Sequence, residues 1–387
     1  MLALLVIVII VLLTMAQFYL KSKAMTSFGT MMASIFGFVL TFSYYEPAAG
    51  FLIGKGYGGQ WAQPAVFAVL FIVCFAIFRV ITDLIWDPDA DFGAVATKVA
   101  AVACGLATGL IISGVLLISL ALMPSAARYP YPRFGDGQTA VSDIRSAKRP
   151  AISADGLVSG LFSWMSKGSL SSGRSFAVYH PGFLDQLHLN GYKARDGVWR
   201  VAGRDAVTVP RKGLRRLDSE GESLVIVRMD LKRGDIKQGG ASNSKGEVSF
   251  IPGQVRLVCK KQGGSDTRGA GTAFYPQGRI IARRPDPEGK ARPLSGPMAG
   301  RMLMPYTLDE VITLANEDFK GQRASVDMAF QIPSGMTPVL LQFKDNVVVS
   351  VDAVQPASEE TEDALSGGGS PQVEGGGRPQ RPADPNS

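Results

Sequence analysis

The sequence predicts an α-helical membrane domain of four transmembrane helices, then a β-rich soluble domain built as an antiparallel sandwich, then a disordered tail. Three observations predict this class. Charge is scarce in the first third: of 40 basic and 33 acidic side chains in the 387-residue chain, residues 1–124 hold only five of each. Beyond residue 200 the apolar period becomes two. From residue 353 the composition collapses to Ser, Glu, Gly and Pro. We therefore divide the chain into a membrane domain (1–124), a linker (125–150), a β-rich domain (151–352) and a tail (353–387).

A hydrocarbon core about 30 Å thick takes roughly 20 apolar residues of helix to cross. Leu2–Leu20 is nearly unbroken apolar sequence and ends on Lys21 and Lys23. Phe28–Tyr45, Ala65–Ile85 and Ala94–Met123 are the next three spans, and nothing comparable follows Pro124. Thr14-Met15-Ala16 would serve as a signal-peptide cleavage site, but the first span lacks a basic leader and three more spans follow, so we expect a retained helix. Lys21, Lys23, Arg79 and Lys98 fall on one side and Lys55, Arg128 and Arg133 on the other. That count favours both termini outside by a narrow margin. Tyr44, Tyr45 and Trp61 then mark the outer interface and Trp86 the inner one. Arg79, one turn ahead of Asp83, reads as an end-of-helix anchor in preference to an ion path.

In lipid, helices associate where small residues let backbones approach. Gly29, Ala33, Gly37 and Thr41 form such a stripe on the second span; Ala101, Gly105, Gly109 and Ser113 form another on the fourth, with Gly105 and Gly109 a GxxxG pair. These eight are the candidate helix-packing residues, for contact between the stripes or with another subunit. Between the second and third spans lies "GKGYGGQ", residues 54–60, which fits the dinucleotide fingerprint and echoes a potassium filter. A dinucleotide site needs a βαβ unit, and a filter needs a pore at membrane depth. Flanked by two membrane helices, the glycines read as a bend.

Residues 125–150 read as a linker rich in Pro, Gly, Arg and Ser. Leu157, Leu161, Trp164 and Met165 then lie at helical spacing, marking a short amphipathic helix that either rests on the membrane surface or packs under the domain. Strands follow: Val225, Val227, Met229 and Leu231; Val255, Leu257 and Cys259; Val326, Met328, Phe330 and Ile332 all alternate with polar residues. Val339–Phe343 and Val347–Val351 read as a hairpin with a tight Asp-Asn turn. Thr307-Leu308-Asp309-Glu310 is a capping-box pattern that predicts a helix over "VITLAN". The tail cannot bury enough apolar surface to repay ordering, and we expect it to be disordered.

Catalytic and metal chemistry find little footing. The two histidines, His180 and His188, flank Asp185, but no nucleophile turn accompanies them; Gly263-Gly264-Ser265-Asp266 resembles a hydrolase serine loop only superficially. Two histidines eight apart without a third strong ligand make a weak metal signal on a segment that looks strand-like. Three lone cysteines, Cys74, Cys104 and Cys259, form no disulfide framework. No catalytic, cofactor or metal residue is therefore assigned. Residues 125–352 carry 33 basic against 22 acidic side chains, with doublets at Arg215-Arg216, Lys260-Lys261 and Arg283-Arg284. Such a field suits anionic lipid headgroups or an anionic envelope polymer; without aromatic–basic interleaving, nucleic acid is not expected.

The four-span layout, the "KSK" after the first span and the closing "VATKVAAVACGLATGLIISGVLLISLAL" resemble the colicin V production protein family, CvpA. The resemblance covers about a third of the chain and implies an inner-membrane protein linked to toxin production or export and to envelope processes. Some relatives carry extracytoplasmic domains behind these helices, which agrees with an outside carboxyl terminus. The β-rich domain is loosely similar to immunoglobulin-like extracellular modules. We expect a non-enzymatic membrane anchor or assembly platform. The alternative is a transport or channel component, disfavoured by the near absence of ionisable residues within the spans.

Overall fold

The computed structural model describes residues 2–21, 23–85, 93–124, 130–135, 139–167, 174–211, 213–219, 222–234, 247–261, 268–282, 290–294, 300–351 and 355–356. Trp86, Arg128, the Gly263–Asp266 loop, Arg283-Arg284 and most of the tail lie outside the described residues.

Four helices are long and apolar enough to cross a membrane: α1 (Leu2–Lys21), α2 (Ala24–Gly54), α3 (Ala62–Ile85) and α4 (Ala94–Leu122). α1 lies along α4, α2 along α3, and α4 also meets α2. At 31 residues α2 rises about 46 Å, more than a bilayer core requires. Its last turn reaches the C-terminal part of the chain, where Ile53 packs with Ala62 and Val201. The bend after it takes positive φ at Gly56 (80°), Gly58 (74°) and Gly59 (50°), backbone that favours glycine. It is also a contact: a Cβ on Gly59 would lie 3.2 Å from the Trp199 ring. Arg79 pairs with Asp83 near the end of α3, as the spacing predicts.

Three helices follow: α5 (Ala154–Lys167), α6 (Phe176–Tyr179) and α7 (Phe183–Asn190). α7 replaces the strand-like reading of the two-histidine segment; Phe183, Leu184, Leu187 and His188 are buried, and Gly182 enters it at φ 65°. α5 matches the expected amphipathic helix, yet its packed face is Val158 and Phe162, whereas Leu157 and Trp164 are exposed. Part of the described linker is packed. Tyr131, Arg133 and Phe134 are buried, and Lys148 N–H donates to the Arg133 carbonyl at 2.8 Å.

The remainder is antiparallel β-rich. One sheet runs β14 (Gln355–Pro356), β2 (Leu214–Ser219), β3 (Glu222–Lys232), β11 (Arg323–Pro333), β7 (Pro276–Ala282), β9 (Arg301–Pro305) and β8 (Arg292–Pro293), with β1 (Val207–Thr208) also on β3. Another runs β13 (Val347–Ser350), β12 (Met336–Phe343), β5 (Val255–Lys261) and β6 (Thr272–Phe274). The expected alternations hold: Val227 and Met229 of β3, Met328 and Phe330 of β11, Leu257 of β5 and Leu341 of β12 meet in one core. β3 is buried on both faces, since Ile226 packs with Ile280 and Ala329 behind it. β14, the part of the tail within the described residues, pairs in parallel with Arg215 and Arg216.

Two local expectations are corrected. Thr307–Glu310 forms a turn, with Asp309 accepting from Thr139 N–H at 2.9 Å, and "VITLAN" becomes β10 (Ile312–Leu314), paired with β4 (Val248–Phe250). Ile312 and Leu314 are buried while Thr313 is exposed, so period two overrides the capping signal. The β12–β13 hairpin closes through three residues, with Phe343 opposite Val347 and Lys344 at φ 56°.

Candidate functional site

All eight small residues of the two stripes are buried. The glycines of the two stripes face different partners, however. A Cβ on Gly105 would lie 2.9 Å from Met15 Cα, and one on Gly109 2.8 Å from Val11 Cα, both on α1. The Thr14 hydroxyl donates to the Gly105 carbonyl at 3.1 Å. On α2, a Cβ on Gly37 would lie 3.3 Å from the backbone nitrogen of Phe75 on α3, while the Thr41 hydroxyl turns back to the Gly37 carbonyl at 2.7 Å. Ala101 sits with Phe18 and Met31. Within the chain, Gly37 thus lies against α3, and Gly105 and Gly109 against α1.

A buried polar network that no local sequence pattern marks joins the helix ends to the β-rich part. Its centre is Arg200, 1% exposed. Its guanidinium donates to the carbonyls of Ala121 and Met123 at the end of α4, to the Leu187 carbonyl of α7 at 3.0 Å, and to Asp345 Oδ2 at 2.8 Å. A helix end leaves carbonyls without intrahelical partners, and a cation there satisfies them and complements the dipole. Asp345 accepts a second bond from Asn190, and beside it the Lys344 ammonium donates to the carbonyls of Trp199 and Ser249. Burial lowers Lys344 to about 7, against the opposing pull of Asp345.

A second contact joins α2 to the same layer. Glu46 lies 2.7 Å from His180 Nε2 and accepts from the Tyr45 hydroxyl at 2.8 Å. The other nitrogen, Nδ1, is 2.9 Å from Gln186 Oε1, which also accepts from Arg256. Arg256 in turn holds the Tyr179 carbonyl at 2.9 Å and the Pro181 carbonyl at 3.1 Å. Around this chain Phe42, Phe162, Phe176 and Phe183 pack in tilted and edge-to-face pairs, with centroids 5.0–5.8 Å apart.

His180, Asp185 and His188 do not converge. Asp185 pairs with Arg133 at 2.6 Å, and His188 bonds the Leu184 carbonyl at 2.9 Å and lies against the Tyr131 ring. Burial lowers His188 to about 4, Arg133 adding to the effect. Among the described residues no group of three His, Cys, Asp or Glu side chains could hold a metal ion. A cleft of about 210 Å³ opens beside α5, lined by Arg133, Arg149, Ser163, His180 and Asp185 among others. Cys259 is buried and its thiol is pushed up to about 12.

Several of the basic side chains are internal. Arg200, Arg215, Arg256 and Lys344 are 1–3% exposed, and Arg228 on β3 grips Asp327, its cross-strand partner on β11, through two bonds of 2.8 and 2.9 Å. Burial raises the Asp327 carboxyl despite that fork. Spacing alone could not mark these cations, because buried and exposed basic residues look alike in one sequence.

No family model matches the chain, and comparison with curated proteins and with solved structures likewise returns no match. The class defined by fold and site is therefore a chain with four helices long and apolar enough to cross a membrane, joined through a buried polar junction to an antiparallel β-rich part.

Proposed function

We propose that the chain is a non-enzymatic integral protein of the inner membrane. Its helices act as an anchor or assembly platform that presents the β-rich domain, a sandwich of two sheets over one core, outside the cytoplasm. The observation that supports this best is the Arg200 clamp, which ties the last carbonyls of α4 to α7 and to the β12–β13 turn. Simple tethering would need only a flexible linker. A buried cation holding three elements implies that the domain's position on the bundle matters, as expected of a platform.

The likeness of residues 1–124 to the CvpA helices links the platform to colicin V production or export and to envelope processes. That link stands on the resemblance alone. Glu46, the acidic residue of α2, is engaged by His180 and Tyr45 instead of lining an open path, which favours a platform over a transporter. The remaining surface charge suits anionic headgroups or an anionic envelope polymer as partner.

Two measurements test the reading. A reporter-fusion topology map should place Lys55 and residues 151–352 on the outer side and Lys98 on the inner side. Purified protein in liposomes should give no solute or ion flux above lipid alone; reproducible flux would replace the platform by the transport reading.

A further inference from the structure

The helix α5 carries apolar side chains on two faces. Val158 and Phe162 point inward onto α4 and the Phe42 ring, while Trp164 is 70% and Leu157 45% exposed, with Leu161 and Met165 half-buried between them. An outward apolar stripe of this kind on a short helix suits a non-aqueous neighbour.

The depth of α5 names that neighbour. Its start rests on Gly114: a Cβ there would meet the Ala154 carbonyl carbon at 2.8 Å. Gly114 lies about 12 Å below Leu122, the last residue of α4, at 1.5 Å per residue. Its middle rests on Phe42, whose ring is 5.0 Å from that of Phe162 and which lies about 18 Å below the end of α2. These two supports are level with each other. Met31 of α2 and Cys104 of α4 share one cluster lower in the bundle, and Phe42 and Gly114 follow them by nearly the same number of residues. Hence α5 lies across the bundle axis. Ala154 also clusters with Ala3 and Ile7 of α1, whose 20 residues span about 30 Å, the thickness of a hydrocarbon core. The start of α5 is therefore level with one end of that core. Leu2 and Leu5 of α1 are exposed nearby in sequence to this level and continue the apolar belt.

We propose that α5 is an in-plane interfacial helix. Its outward face, Leu157, Leu161, Trp164 and Met165, is seated at the headgroup–acyl boundary of the membrane that the four helices cross. This rests on the membrane-spanning reading above. The flanking charges agree with it: Arg149 and Lys167 are exposed and suit lipid phosphates, whereas Asp155 is turned inward to the Tyr131 hydroxyl. Trp164 occupies the position interfacial tryptophans prefer, with an apolar ring and a polar N–H at the boundary.

The test uses full-length protein with Cys74, Cys104 and Cys259 replaced by Ala and single nitroxide labels on Leu157→Cys, Trp164→Cys, Ile77→Cys or Val348→Cys. The protein is reconstituted in vesicles of phosphatidylcholine and phosphatidylglycerol. Collision rates with oxygen, which partitions into lipid, are compared with those of a water-soluble nickel chelate. Oxygen should exceed nickel several-fold at 157, 164 and 77, and the order should reverse at 348 on the β-rich part. Nickel dominance at 157 and 164 with Ile77 still in lipid would overturn the seating of α5 alone. Nickel dominance at Ile77 as well would remove the spanning reading and this proposal with it. Low collision with both probes together with spin–spin broadening would assign the face to a second copy of the chain, also overturning it.

Discussion

The α1–α4 contact and the junction around Arg200 are held by opposite means. Along α1 and α4 the contact is made by what is missing: without side chains at Gly105 and Gly109 the two backbones close to van der Waals distance, helped by one bond from Thr14. At the junction, long polar side chains reach between elements, and Arg200 alone touches α4, α7 and the β12–β13 turn. The difference follows from solvent. Lipid offers helices no hydrophobic gain on pairing, so dispersion at close range decides. Where helix ends leave the lipid, bare carbonyls must be satisfied, and a buried guanidinium does so for several at once.

This contrast can be broken from either side. The largest effect should come from Arg200→Met, which strands Asp345 and the α4 carbonyls. About 3–5 kcal/mol should be lost, as when one partner of a buried pair is removed. Urea unfolding in detergent, followed by fluorescence of Trp199, would register it; a wild-type midpoint would mean the clamp is not the main tie.

On the lipid side, Gly105→Leu or Gly109→Leu should cost about 1–3 kcal/mol by overpacking and lever α1 off α4. Disulfide trapping between Ala3→Cys and Leu117→Cys should fall accordingly. Gly50→Leu, with nothing within 4 Å of its added Cβ, should leave trapping intact and serves as the reference.

A third, intermediate effect is set by pH at the junction. Burial holds His188 at about 4, Arg133 and Arg200 adding to the depression and Asp155 opposing it. The unfolded chain takes up this proton near 6.5 and the folded chain does not, so stability is full above 6.5 and falls with pH towards 4. Between pH 7 and 5 the loss should be about 2 kcal/mol. His188→Gln should flatten that slope in denaturation curves at the two pH values. The smallest change should be Thr14→Val, about 0.6 kcal/mol, the typical worth of an interhelical hydrogen bond in lipid. An equal loss for Thr14→Val and Arg200→Met would erase the distinction between the two regions.

Legibility differed between these regions. The glycine stripes were readable because lipid-embedded packing rewards one visible property, residue size at a fixed helical spacing. Their partners were not readable, since Gly105 gives no sign of Met15, ninety residues earlier. At the junction even the members were hidden. Glu46 and His180 lie far apart in the chain with no pattern linking them, and only folding sets them 2.7 Å apart. The capping pattern at Thr307 failed for a related reason: a local helix signal yielded to the pairing of Ile312 with Phe250 across the sheet.

By itself the sequence determined the four apolar helices, the bend at residues 54–60 and the alternating strands, because each depends on periodicity within a short window. Tertiary structure alone decided which glycine meets which helix, which arginines are internal, and that the apolar stripe of α5 faces outward while Val158 and Phe162 pack. Those outcomes depend on distances between residues far apart in the chain, and no local pattern encodes the direction in which a side chain will find its partner.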